Sequence, residues 1–208
     1  MVKILQKDDP LLRGKAEKVP VSEIGSKKIK EVIHDMKEAM VGEKDAVAIA
    51  APQIGVPLRI FVVAGKIFEK DAKQTPVVER SSLRGAAQNE NKINAEQTPV
   101  VEQSSLRGTA QKKENHADIV FINPEITRRS RKKITMDEGC LSVRWWYGGV
   151  ERAEKATVHA YDENGTRFTR GASGLLAQIF QHETDHLDGV LFIDKASNLH
   201  EELPGQKN

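Results

Sequence analysis

The residues best suited to chemistry stand in one run near the C-terminus, QHETDHLDG at 181–189. His182 and His186 are four apart. On a helix this spacing puts both imidazoles on one face, one turn apart, where both can reach a single metal ion. Glu183, next to the first histidine, is placed to act as general base on a water activated by that metal. The same spacing also occurs on helices whose histidines are merely packed or solvated, so the run alone leaves both readings open. A tetrahedral catalytic site needs a third protein ligand and an open position. The candidate is Cys140, the only cysteine among 208 residues. It cannot form an internal disulfide, which leaves burial, nucleophilic chemistry or metal ligation. It sits in DEGCLSV, 137–143, where Gly139 lets the chain approach closely. A thiolate with two neutral imidazoles leaves a divalent metal with net positive charge, which lowers the pKa of its water. A Cys–His–His set is unusual for a protease, where the third ligand is commonly histidine or a carboxylate.

Two elements must position these groups. From Ala172 the pattern turns helical, with Leu175, Leu176, Ile179 and Phe180 as the apolar face. The helix is expected to run to about Leu187, with Gly189 as its stop. A second amphipathic helix is expected from Ser22 to Val41, where Ile29, Val32, Ile33, Met36 and Met40 recur at helical spacing and Gly42 ends the pattern. Residues 1–20 read as irregular. AVAIAAPQIGV, 46–56, is broken by Pro52 and Gly55 and reads as a tight loop leading into a strand from Leu58 to Val63. Further strands are expected at Ile119–Ile122, Ala156–Tyr161 and Arg167–Thr169, with the turn Asp162–Gly165 between the last two.

Residues 66–117 differ from their surroundings. QTPVVERSSLRGAAQ at 74–88 recurs as QTPVVEQSSLRGTAQ at 97–111, differing only at Arg80/Gln103 and Ala86/Thr109. Two copies with so few apolar groups cannot build a solenoid core. The segment reads as a duplicated, low-complexity, disordered insertion in a single domain spanning 1–208. The whole chain is 38% apolar and 30% charged with a formal net charge of +2, which argues against a dedicated nucleic-acid binder. Its apolar runs are too short for a membrane span. MVKILQKDDP meets charge too early for a signal peptide, so the cytoplasm is the default compartment.

Three stretches resemble, in order, the three sequence motifs of peptide deformylases. AVAIAAPQ at 46–53 is similar to the family's loop ending in glutamine, Glu138 to Ser142 spells EGCLS, and Gln181 to Leu187 matches QHExDHL. The resemblance extends through DPLLR near the N-terminus and VERAEKATV at 150–158 and covers the chain except 66–117. It implies an α+β domain with antiparallel sheets packed around the C-terminal metal-binding helix and an outer N-terminal helix. It implies removal of the formyl group from formyl-methionyl nascent polypeptides with release of formate. Cys140, His182 and His186 would hold one divalent ion, natively Fe2+, with Zn2+, Ni2+ or Co2+ as substitutes. Glu183 would move the proton, while the Gln53 side chain and the backbone N–H of Leu141 would stabilise the oxyanion. Ala46, Val47, Ala48, Gly139, Leu175 and Ile179 would bind substrate, with the His182 ring as a further wall of the methionine pocket. Glu138 and Arg152 would pair and steady the cysteine loop. The implied partners are nascent chains with transient ribosome association, without direct DNA binding or a membrane.

The sequence also departs from the family. Ala46 and Ala48 stand where its loop usually has glycine, and a methyl at 48 would crowd the methionine pocket or restrict the backbone. Arg144 stands where proline is frequent. Trp145, Trp146 and Tyr147 follow, either capping the core or forming an aromatic rim for the peptide. Two rival readings are a deformylase-like protein that binds metal or peptide with weak turnover, and a zinc peptidase that leaves Gln53 without a task. His34, His116, His159 and His200 have no partners at ligand spacing, and the tail HEELPGQKN is expected to fray.

Overall fold

A computed structural model describes residues 2–43, 45–68 and 117–203, together with the backbone of 69–71. The chain divides into two units. All described residues belong to the first, 1–75 with 115–208; the second, 76–114, lies outside them, as do both repeat copies.

The fold is α+β with two antiparallel sheets. The larger contains β1 (Ala48–Ala50), β2 (Ile60–Val63), β3 (Ile119–Arg129), β6 (Lys155–Tyr161) and β7 (Arg167–Ser173), in the order β1-β2-β3-β6-β7. The smaller contains β4 (Lys133–Cys140), β5 (Val143–Ala153) and β8 (Ser197–Glu201). The helices are α1 (Lys27–Val41), α2 (Gly65–Asp71) and α3 (Gly174–Leu187).

Strand alternation decides which helix covers which face. Phe61 and Val63 of β2 pack with Phe121, Val158 and the α3 residues Leu176, Ile179 and Phe180. The alternate residues Ile60 and Val62 pack with Ile29, Ile33, Met36 and Met40 of α1. The two-residue period of a strand therefore sends one set toward each helix. The rings of Phe61 and Phe121 stack at 4.6 Å, and Phe180 meets Phe121 edge-on at 5.2 Å. The small sheet closes a third cluster with Leu12, Val143, Val150, Leu191 and Phe192.

Several boundaries differ from the sequence expectation. Helix α1 begins at Lys27, because Gly25 takes φ +87° and Ser26 caps the helix by accepting from Ile29 N. The segment expected to be a tight loop contains a strand: Ala48, Ile49 and Ala50 pair with Val63, Val62 and Phe61 before the turn over Ala51–Ile54. Residues 65–71 are helical, and Ile67 and Phe68 are core residues, so the start of the 66–117 segment belongs to the folded body. Of the tail 200–208, His200 and Glu201 end strand β8 and 204–208 lie outside the described residues. His34 is exposed on α1, His159 lies in β6, and His116 falls outside the described residues.

Candidate active site

Helix α3 starts where β7 ends. Gly174 adopts φ +55°, a conformation that favours glycine and lets the strand turn directly into the helix. Gln181 then ties the helix to β5: its Oε1 accepts from Ala153 N at 3.0 Å and its Nε2 donates to Ala153 O at 3.0 Å. At the far end, the buried Arg59 donates to Leu187 O at 3.2 Å and to Asp188 at 2.7 Å, satisfying a terminal carbonyl of the helix. With Leu176, Phe180 and Leu187 of α3 held in the core against the large sheet, the flank of the helix that carries Leu175 and Ile179 presents His182, Glu183 and His186 toward Cys140 at the end of β4.

There the three expected ligands meet. The candidate donor atoms of Cys140, His182 and His186 lie within 4.8 Å of one another. Sγ of Cys140 is 3.2 Å from Nε2 of His186. Two such ligands on one tetrahedral metal stand roughly 3.5 Å apart, given ordinary metal–sulfur and metal–nitrogen bonds. The two imidazoles are 4.9 Å apart and nearly perpendicular. Glu183 Oε2 and His186 Nδ1 are buried without a hydrogen-bond partner among the described residues. Charge balance points the same way. Burial by itself would raise the Cys140 thiol, but the imidazoles of His186 and His182 bring it down to about 5. Burial would lower His182, yet the bonds to Cys140 and Glu138 hold its pKa well above the ordinary value. A thiolate site that demands positive charge beside it is one that a divalent cation fits, and these residues can hold a single ion.

Behind the ligands, Glu138, Arg152, Gln178 and Asp185 form one bonded network. Arg152 donates to both oxygens of Glu138, at 2.7 and 2.8 Å, and to Asp185 at 2.5 Å. Glu138 also takes a bond from Gln178 Nε2 at 3.3 Å and faces His182 Nδ1 at 2.8 Å. Burial would raise the Glu138 carboxyl, but Arg152 and His182 bring it down to about 2, so it is a fixed anion. Glu183 has no such donors, and burial pushes its carboxyl up to about 7 despite the neighbouring imidazoles. Two adjacent carboxylates are thus driven in opposite directions by their surroundings.

Gln53 is 2% exposed and reaches the same centre from the turn after β1. Its Oε1 accepts from Ala50 N at 2.8 Å, which fixes the amide and turns Nε2 toward Ser142 Oγ at 3.0 Å and Cys140 Sγ at 3.5 Å. A cavity of about 400 Å3 opens over these groups, and Val47, Leu141, Leu175, Ile179 and His182 contribute to its wall. Ala46, Ala48 and Gly139 also line it. Neither alanine is among the residues with positive φ, so both are accommodated without left-handed backbone. Ile179 is buried and Leu175 is 44% exposed at the cavity. Trp145, Trp146 and Tyr147 all line the cavity; Trp146 also packs on the third core cluster, while Trp145 is the more exposed of the two tryptophans.

The structure brings every expected site residue to this centre, with His186 beneath the cavity and Arg152 behind Glu138. Sequence reasoning missed Ser142, Gln178 and Asp185. Ser142 and Asp185 lie inside the recognised motifs; Gln178 falls outside the arc of Leu175, Leu176, Ile179 and Phe180, where a polar residue is ordinary, so its position carried no signal.

Comparison with known proteins agrees. The sequence pattern of the family described as polypeptide deformylase matches residues 1–202. The chain is 37% identical over 193 residues to the chloroplastic/mitochondrial peptide deformylase 1A of Arabidopsis thaliana, covering 92% of this chain and 60% of that one. It thus spans about three fifths of the length of that plant relative. It is 36% identical over 195 residues to the peptide deformylase of Halothermothrix orenii, covering 94% and 93% of the two chains. Among solved structures, a peptide deformylase from Legionella pneumophila superposes with a TM-score of 0.67 at 33% identity, covering 95% of this chain and 87% of that one. One from Synechococcus elongatus, solved in complex with actinonin, gives 0.66 at 28% identity, covering 95% and 81%. A helix that presents two histidines to a cysteine, in a chain matched along almost its whole length, is thereby accounted for: this chain belongs to the polypeptide deformylase family.

Proposed function

We propose that the protein hydrolyses the formyl group from formyl-methionyl peptides and releases formate. The observation that carries this reading is the convergence of Cys140, His182 and His186 with Glu183 and the Gln53 amide on one cavity. An ion held by Cys140, His182 and His186 would supply a Lewis acid and lower the pKa of water toward neutrality. The family resemblance implies ferrous iron, with zinc, nickel or cobalt as substitutes; a thiolate with two imidazoles can hold any of these.

Each residue has a task in this reading. Glu183, buried and poised at about 7, takes the proton of the attacking water and returns it to the departing amine nitrogen. Gln53 Nε2 and the Leu141 N–H donate to the oxyanion. Two neutral, prefixed donors of this kind need no reorganisation as charge develops. Glu138 and Arg152 hold His182 from behind. Strand β1 is the outer strand of the large sheet, so the substrate backbone adds beside Ala46–Ala48 as a further strand. Its methionine side chain then enters between Val47, Leu175, Ile179 and the His182 ring, over Gly139. The substrates are nascent chains, met during transient association with the ribosome. No helix among the described residues is long and apolar enough to cross a membrane. A cytoplasmic site of action belongs to this reading.

The test is paired turnover. Protein loaded anaerobically with ferrous iron should release formate from formyl-Met-Ala-Ser, lose this activity on chelation and leave Met-Ala-Ser intact. Cleavage of the unformylated peptide would replace this reading with a peptidase.

A further inference from the structure

Trp145 is built unlike its neighbours. Gly139 pairs with Tyr147 and Cys140 with Val143, so Arg144, Trp145 and Trp146 bulge out of the β4–β5 ladder beside the cysteine ligand. Bulges next to active sites re-aim side chains. Within this one Trp145 adopts φ +67°, a conformation that disfavours bulky residues and that glycine would take without strain. Packing does not repay the strain, because Trp145 is 39% exposed whereas Trp146 carries the core contact. Its backbone is nevertheless pinned: Trp145 O accepts from Glu202 N at 2.8 Å. Arg144 stands over the ring at 6.0 Å and is itself tied to Glu43. The ring lines the same cavity as Leu175, which is 44% exposed.

We propose that Trp145 is a specificity-determining residue, an aromatic platform for the side chain of one of the first two residues after the formylated methionine. The inference rests on the deformylase reading and deepens it. A strained and held indole that is still 39% exposed gains further burial when an apolar group of the substrate lies on it. The chain therefore favours aromatic or large aliphatic residues there over small polar ones.

The experiment measures kcat/KM for formyl-Met-Phe-Ser, formyl-Met-Ser-Phe and formyl-Met-Ser-Ser. Wild type should favour one phenylalanine peptide over the serine peptide by roughly three- to tenfold, the range expected for one aromatic contact. Trp145→Gly, which also relieves the backbone strain, should bring that ratio toward one, and Trp145→Phe should keep most of it. No preference in wild type, or a ratio unchanged in Trp145→Gly, overturns the proposal. Calorimetric titration of the products Met-Phe-Ser, Met-Ser-Phe and Met-Ser-Ser reads the same preference without turnover. Absence of formate release would therefore sink the hydrolase reading, and absence of any binding preference would sink this one.

Discussion

Nδ1 of His182 lies 2.8 Å from Oε2 of Glu138. This contact decides which ring nitrogen is left for the metal: with Nδ1 engaged, Nε2 faces Cys140 and His186. Glu138 can play this part because Arg152 grips both of its oxygens and Gln178 supports one of them.

Removing Glu138 should therefore weaken the metal site without touching a ligand. Glu138→Ala is expected to lower metal affinity about 10–100-fold, read by competition against a chelator of known affinity. It also leaves Arg152, whose side chain is 5% exposed, with Asp185 as its remaining carboxylate. Denaturant unfolding should show a loss of about 1.5–3 kcal/mol, the range for hydrogen bonds to a charged group, because Asp185 still compensates the buried guanidinium.

Gln53 separates metal binding from transition-state stabilisation. Gln53→Leu keeps the approximate volume and removes the Nε2 donor. Formate release should fall by about 10²–10³ in kcat, as for loss of one oxyanion donor. Metal content, read by elemental analysis, should stay at the wild-type level.

Gly139 is required by close approach. A Cβ there would stand 2.6 Å from Cε1 of the Tyr147 ring, its partner across β4–β5. Gly139→Ala should displace the ring or the cysteine loop and lower kcat/KM at least tenfold. Tyr147→Ala added to it should recover most of the loss, because the clash has a single origin; a double-mutant cycle measures the coupling.

The seat of α3 on the large sheet is testable through Phe180, which is fully buried against Phe61 and Phe121. Phe180→Ala should cost about 3–5 kcal/mol in equilibrium unfolding. Tyr161→Phe, at a half-buried position at the end of β6, should cost well under 1 kcal/mol and serves as a control.

The sequence made the chemistry more legible than the scaffold. The spacing of His182, Glu183 and His186 announced a helix face, and Ile29, Ile33 and Met36 announced another, because a 3.6-residue period survives in the residue types. Strands β4 and β5 left no comparable trace. Glu138 and Arg152 are buried in positions where alternation calls for apolar groups, and only their mutual bonding explains it. The bulge at Arg144–Trp146 then breaks the period of β5. Strand β8 is exposed along its whole length, so no burial pattern marks it. Residues 46–56 looked like a loop because Pro52 and Gly55 dominate the run, although the three residues Ala48–Ala50 pair fully with β2. Ala46 and Ala48 looked like obstacles in the sequence; neither is among the residues with positive φ, so the backbone there does not call for glycine, while both methyls line the cavity.

The most direct test of the central claim separates the base from the metal. Glu183→Gln and wild type, both loaded anaerobically with ferrous iron, should carry the same amount of metal and bind Met-Ala-Ser alike. Wild type should release formate from formyl-Met-Ala-Ser, and Glu183→Gln should lose at least about 10² of that rate, the lower end for loss of general acid–base catalysis. Equal rates in the two proteins, or no release from metal-replete wild type, would contradict the account.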